Sequence, residues 1–156
     1  MNAEGFYNEG VEKAQRGDYL GAIKEFNQFL CINPSHANVY QARGACRYNL
    51  GDTKGAIEDY NQALRIDPHL GKAYFNRGLA RYNLGDKQGG VEDYNQAILI
   101  NQNDANAYYN RGLIHHALGD TKEAIEDLQK AVELFFDKGD LSSYKRSLDR
   151  IRKFQR

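Results

Sequence analysis

Apolar and polar positions recur along this chain at two spacings: three and four residues within a segment, and 34 residues between segments. From Ala73 to about Leu84, the residues Tyr74, Gly78 and Arg81 stand four and three apart, which places them on one face of a helix. From about Lys87 to Ile100, Gly90, Tyr94 and Ala97 form the inward stripe of a second helix. Between them Gly85-Asp86 breaks the chain, because glycine suits the left-handed position just past a helix C-terminus and aspartate caps the next N-terminus. Residues 71–104 therefore predict a helical hairpin, with Tyr94 seated in the space that Gly78 leaves open.

The same hairpin is written four times. Phe6, Tyr40, Tyr74 and Tyr108 share one register position, and Gly10, Gly44, Gly78 and Gly112 follow four residues later. The turn recurs as Gly17-Asp18, Gly51-Asp52, Gly85-Asp86 and Gly119-Asp120. A small residue follows at Ala22, Ala56, Gly90 and Ala124, then a bulky one at Phe26, Tyr60, Tyr94 and Leu128. A fixed period of this length signals a stacked array. One hairpin cannot bury its own apolar face, so stability is expected from nearest-neighbour stacking. The blocks are 3–36, 37–70, 71–104 and 105–138 of a single domain spanning 1–156. A capping helix over 140–155 closes it, with Leu141, Tyr144, Leu148 and Ile151 at helical spacing.

The order aromatic-x-x-x-Gly, Gly-Asp, Ala, aromatic, Ala and Pro at this period resembles the tetratricopeptide repeat. That resemblance implies an all-α fold, a right-handed superhelical α-solenoid of antiparallel helix pairs whose first helices line a concave groove. Departures are local. Pro34 and Pro68 match the family's proline, whereas Gln102 and Phe136 replace it, so the third and fourth blocks should end less sharply. Where the family usually carries leucine, this chain has Glu9, Arg43, Arg77 and Arg111. The three arginines each precede an aspartate by sixteen residues, at Asp59, Asp93 and Asp127. Residues equally far from a hairpin turn lie at similar heights, so these are expected to form a structural charge ladder in preference to an anion site.

Charge narrows the partners. Twenty-one basic and twenty-one acidic residues cancel in 156, which removes the long-range field of a general nucleic-acid or membrane-surface binder. The last helix does carry Lys145, Arg146, Arg150, Arg152, Lys153 and Arg156 against Asp149. A solvated cap face explains it better than a nucleic-acid surface, because no aromatic residues interleave the cations. At the other end Glu9, Glu12 and Lys13 make the first block polar, as the exposed end of a stack requires. No apolar run approaches a membrane span, and the first ten residues are too polar for a signal peptide. Cys31 and Cys46 lack metal spacing and read as buried or half-buried thiols of a cytoplasmic protein. A piece of a longer protein would read the same way.

The groove stripe is offset from the packing stripe. The first block offers Tyr7, Asn8 and Val11, and the second Asn38, Gln41, Ala42, Ala45, Tyr48 and Asn49. The third contributes Lys72, Phe75, Asn76, Leu79, Tyr82 and Asn83, and the fourth Asn106, Tyr109, Asn110, Leu113 and His116. Amides both donate to and accept from a peptide backbone, and aromatic faces supply area, so the wall suits an extended peptide or a short helix. Some family members grip a C-terminal carboxylate with Lys, Asn and Arg. Here only Lys72 matches; Tyr7, Val11, Ala42 and Asn76 replace the rest, which argues against that clamp.

Catalysis finds little support. His115 and His116 are adjacent, so they point about 100° apart on a helix and cannot share a metal as an i, i+4 pair does. His115 stands where earlier blocks place Arg47 and Arg81, and the glycines are all used by turns and packing. The expectation is a non-catalytic scaffold with no cofactor and no metal, which holds a peptide of a protein partner and neither binds nucleic acid nor enters a membrane. The wording RG…LGD…AI-DY resembles repeats common in photosynthetic bacteria, where related proteins assist photosystem assembly, and so implies an assembly role. The rival expectation is a structural module that self-associates through its stacked ends. Gly89-Gly90, early in a helix, marks the segment expected to open first.

Overall fold

A computed structural model describes all residues, Met1–Arg156. Nine α-helices and no strands make up the chain: α1 (Ala3–Gln15), α2 (Tyr19–Ile32), α3 (Ala37–Asn49), α4 (Thr53–Ile66), α5 (Gly71–Asn83), α6 (Lys87–Ile100), α7 (Ala105–Ala117), α8 (Thr121–Asp137) and α9 (Leu141–Phe154). None is long and apolar enough to cross a membrane. The chain divides into two compact units, Met1–Ala80 and Arg81–Arg156.

Local chemistry sets the helix ends. Gly17, Gly51, Gly85, Gly119 and Gly139 all have positive φ, between 74° and 91°. In the first turn Gly17 N–H donates to Ala14 O and Asp18 N–H to Lys13 O, which closes the helix with a left-handed glycine. Asp18, Asp52 and Asp86 then cap the following helices, each accepting from the backbone N–H of a glycine three residues on, at 2.9–3.0 Å. The fourth turn departs, because Glu123 replaces that glycine and Asp120 makes no side-chain cap bond. A cap does form over Ala107 and Ser143, at 3.2 and 3.1 Å, so a Cβ there stretches the bond without forbidding it. The missing proline after α8 also has its expected effect: α8 runs for 17 residues, against 14 in α2, α4 and α6. Helix α6 nonetheless ends at Ile100 despite Gln102.

In the first unit α1 packs on α2, α2 on α3 and α3 on α4. Glycine makes the close approach within each hairpin. A Cβ on Gly10 would lie 2.6 Å from Phe26 Cε1, and one on Gly44 would lie 2.8 Å from Tyr60 Cε1. Both rings are fully buried. These pairs are equally distant from their turns, so the hairpins are antiparallel. The core is Ala22, Phe26, Phe29, Leu30, Val39 and Cys46, continued by Ala56, Tyr60 and Ala80 and by Ala63, Leu64 and Ala73. At roughly 25 cal/mol per Å² of apolar surface removed from water, such continuity across neighbours holds the stack together.

In the second unit α6 packs on α7, α7 on α8 and α8 on α9. Gly112 repeats the close approach, with its Cβ position 3.2 Å from Leu128 Cγ. Ala105, Tyr109, Leu128, Ala131, Leu134, Phe135 and Ile151 form the core, with Tyr144 and Phe154 of α9 packed against it. Helix α9 therefore covers the end of this unit through Tyr144 and Ile151 of the expected face, together with Ser147 and Phe154, whereas Leu141, expected on that face, is 55% exposed.

Candidate functional site

The site grows from one charged side chain per hairpin. Arg43 of α3 reaches α4, where its Nε donates to Asp59 Oδ2 at 3.0 Å and its Nη2 to Oδ1 at 2.7 Å. Its Nη1 turns back to α2 and donates to Asn27 Oδ1 at 2.8 Å, and its guanidinium lies 5.4 Å from the Tyr40 ring centroid. Arg111 repeats the arrangement with Asp127 at 2.8 and 2.6 Å, Asn95 at 2.9 Å and the Tyr108 ring at 5.5 Å. Arg77 donates to Asn61 at 2.8 Å and lies 5.6 Å from the Tyr74 ring centroid. Arg43 and Arg111 thus each tie a first helix to the second helices of two successive repeats. Hydrogen bonds donated to Asp59 and Asp127 hold these two guanidinium groups protonated more firmly than ordinary arginine. With carboxylates on them, Arg43 and Arg111 are structural ties and not an anion site.

A second set of ties, spaced by twelve residues, joins the same helices. Arg47 donates to Asp59 at 2.9 Å and Arg81 to Asp93 at 3.1 Å. Lys13 takes the same register and bonds Glu25 at 2.7 Å, so it is more than a solvated residue at a polar end. His115 is the weak member: its Nε2 stands 3.8 Å from Asp127 and its buried Nδ1 has no hydrogen-bond partner.

These ties fix α1, α3 and the first part of α5, which with α2 enclose a cleft of about 430 Å³. Val11, Ala14, Ala42 and Ala45 give it an apolar floor above Phe26 and Cys46. Tyr7, Asn38, Asn49, Asn76 and Lys72 stand around it, and Lys72 is the single charged residue in the lining. Asn49 is steadied by a bond from Nδ2 to Ala45 O at 2.8 Å. Gln41 also lines the cleft although only 5% exposed.

Of the residues expected in a groove, the first unit thus brings Tyr7, Asn49, Lys72 and Asn76 together. Asn8 is exposed but outside the cleft, and Tyr48 packs beside Ala56, Tyr60 and Ala80. Phe75 is half-buried on α5, while in the second unit Tyr82 is half-buried and Asn83 exposed. The fourth repeat differs from expectation. Tyr109 is buried in the core, with the Arg146 guanidinium 4.7 Å from its ring centroid. His116 stacks on Phe154 at 3.6 Å, and Asn110 Nδ2 donates to Tyr94 Oη at 3.1 Å. Helix α9 lies against Tyr109 and His116, and it carries a shallow depression lined by Ser142, Lys145, Arg146, Asp149, Arg150 and Lys153.

Three lining residues went unread in the sequence. Ala14 and Gln15 occupy the register of Tyr48 and Asn49, so the period itself could have found them. Tyr19 belongs to a second helix, which the stripe did not include. Cys31 is exposed, contrary to the expectation of a buried or half-buried thiol. Cys46 is buried, and burial pushes its thiol up to about 11.

No protein of curated function matches the chain by sequence. A family model described as TPR repeat matches residues 47–85 and 89–119. Models described as tetratricopeptide repeat match residues 105–137 and 72–101. Among solved structures, a MamA protein is similar at TM-score 0.79 and 23% identity, over 97% of this chain and 89% of that one. The first TPR of Spaghetti (RPAP3), bound to the HSP90 peptide SRMEEVD, is similar at TM-score 0.74 and 24% identity, over 76% of this chain and 94% of that one. A thermophilic TPR protein of Thermus thermophilus is similar at TM-score 0.73 and 19% identity, over 97% and 90%. Structural likeness at these identities speaks for the fold, and the repeat models speak for the family. Register, glycine-closed hairpins and family models agree that this chain belongs to the tetratricopeptide-repeat family of interaction modules.

Proposed function

We propose that this protein is a non-catalytic scaffold that holds a peptide segment of a partner protein in the cleft between α1, α3 and α5, in the service of assembly or regulation. The cleft carries the reading. It joins an apolar floor to a ring of amides and one lysine, the mixture that seats a side chain while bonding a backbone. A neighbouring fold with a bound peptide supports the same mode of use. The candidate groove is narrower than the sequence stripe, since Tyr109 is buried in the core and the exposed His116 has one ring face taken by Phe154. Self-association through stacked ends is less favoured, because α9 exposes Lys145, Arg150, Arg152 and Lys153 against Asp149, and two copies meeting there would oppose like charges.

The test is capture from the native cell after brief crosslinking, comparing the wild type with Ala45→Trp. That indole would fill the cleft floor from a half-buried position. The expected result is loss of the specific partner with unchanged helical content. Equal recovery by the filled variant would refute the cleft as the binding site. Solution mass across a range of concentrations checks the rival, which requires growth in mass as concentration rises.

A further inference from the structure

Two breaks in the repeat meet at one place. Phe29 stands where the later repeats carry Ala63, Ala97 and Ala131. His36 stands where Asn2 and Asp104 cap their helices with side-chain oxygens, at 2.9 and 3.2 Å. At the N-cap of α3 it makes no such bond, and its ring lies edge to face with Phe29 instead, centroids 5.0 Å apart. Tyr7 completes a set of three rings, 6.1 Å from Phe29 and 6.5 Å from His36. With Glu4 and Asn33 these rings line a pocket of about 360 Å³ beside the cleft, with Tyr7 as the common wall. Forgoing a side-chain cap opposes folding, so the ring at 36 serves something other than the helix it begins.

The lining fixes the chemistry of an occupant. Glu4 is its single charged residue and forms no ion pair within the chain. The C-terminus of α2 at Asn33 and the N-terminus of α3 at His36 bring opposite partial charges, so the carboxylate sets the sign. Ring faces also attract a cation, and a planar guanidinium can lie on a ring while its N–H groups fork onto a carboxylate. Nδ1 of His36 is buried and lacks a hydrogen-bond partner, and a turn of the imidazole presents it to one of those donors. The protein uses the same chemistry internally, because Tyr109, in the register of Tyr7, has the Arg146 guanidinium 4.7 Å from its ring centroid. Resting on the proposed peptide-binding role, we propose that this pocket receives an arginine side chain of the partner segment, whose backbone passes Tyr7 on its way from the cleft.

The probe is N-acetyl-arginine methylamide, beside its lysine analogue and its citrulline analogue, which keeps the shape and loses the charge. Each is titrated into the full chain at constant ionic strength, and backbone amide shifts are followed by NMR. The expected result is saturable shifts at residues 4–7 and 33–38 with the arginine compound, and binding about fivefold weaker for citrulline and about twofold weaker for lysine. Ala45→Trp fills the cleft and should leave these shifts in place. Glu4→Gln should weaken arginine binding about threefold. His36→Asn removes a ring and gives α3 the cap that Asn2 gives α1, so it should melt no lower than wild type and bind arginine about fivefold more weakly. Equal shifts with citrulline, or unchanged affinity in both Glu4→Gln and His36→Asn, would overturn the guanidinium site. Partner capture lost with Ala45→Trp but kept by His36→Asn overturns the pocket's share in the partner and leaves the cleft standing. Capture kept by both variants overturns the cleft reading as well.

Discussion

Replacing Asp59 by asparagine changes one oxygen to an amide group and little else in shape. Asp59 is 2% exposed and accepts three hydrogen bonds, two from Arg43 and one from Arg47. An asparagine at that position keeps one acceptor and presents an N–H donor to a guanidinium, so the fork with Arg43 cannot form. Breaking a buried ion pair by removing one partner costs about 3–5 kcal/mol when the other charge stays stranded. Here the Arg43 and Arg47 side chains are 16% and 27% exposed, so both regain some water. The lower end, about 3 kcal/mol, is therefore expected. At about 2–4 °C per kcal/mol for a chain of this size, the melting temperature falls by about 6–12 °C. Urea unfolding followed by circular dichroism at 222 nm measures it, with Glu12→Gln as the internal standard. That exposed pair with Arg16, whose side chains are 58% and 72% exposed, contributes less than about 1 kcal/mol. The double variant Asp59→Asn, Arg43→Met should recover part of the loss, because it removes the stranded charge. If Asp59→Asn destabilises no more than Glu12→Gln, the charged ties do not hold the repeats together.

The remaining predictions concern single repeats. His115→Arg should complete the set of twelve-residue ties to Asp127 and remove an unpaired Nδ1, raising stability by about 1–2 kcal/mol by urea unfolding. Gly90→Ala should gain about 1 kcal/mol, since Ala22, Ala56 and Ala124 fill that register fully buried. Gly44→Ala should lose about 1–3 kcal/mol, since its Cβ would press on Tyr60 and Asp59 at 2.8 and 3.1 Å. Cys31 should react with Ellman's reagent at once at pH 8 and Cys46 only on unfolding. Cys46 is harder to deprotonate when folded, with its thiol raised from 9.0 to about 11. Its contribution is thus complete below pH 9 and lost as pH rises toward about 11, by at most about 1.4 kcal/mol per pH unit. Tyr60, raised by burial, acts in the same direction at higher pH, so Cys46→Ala should flatten only the first part of the decline.

Much of the fold was legible because a period of 34 states each hairpin several times. The start and end of α6 were readable to the residue, and the ties from Arg43 to Asp59 and Arg111 to Asp127 followed from equal distance to a turn. Asn27, Asn61 and Asn95 were missed because only opposite charges were sought opposite the arginines, yet amides sixteen residues earlier bond the same guanidinium groups. The site was less readable. Tyr109 and His116 stand in the same register as Phe75 and Tyr82, and nothing local distinguishes a free wall from one that α9 covers.

The account rests on a partner segment lying in the cleft bounded by Asn49, Lys72 and Asn76. Site-specific photo-crosslinking in the native cell tests this most directly, with p-benzoylphenylalanine placed at Asn49 or, on the outer surface, at the exposed Glu133. An adduct with one protein at 49, lost with Ala45→Trp and absent at 133, is the predicted result. Equal adducts at both positions, or an adduct at 133 alone, would contradict it.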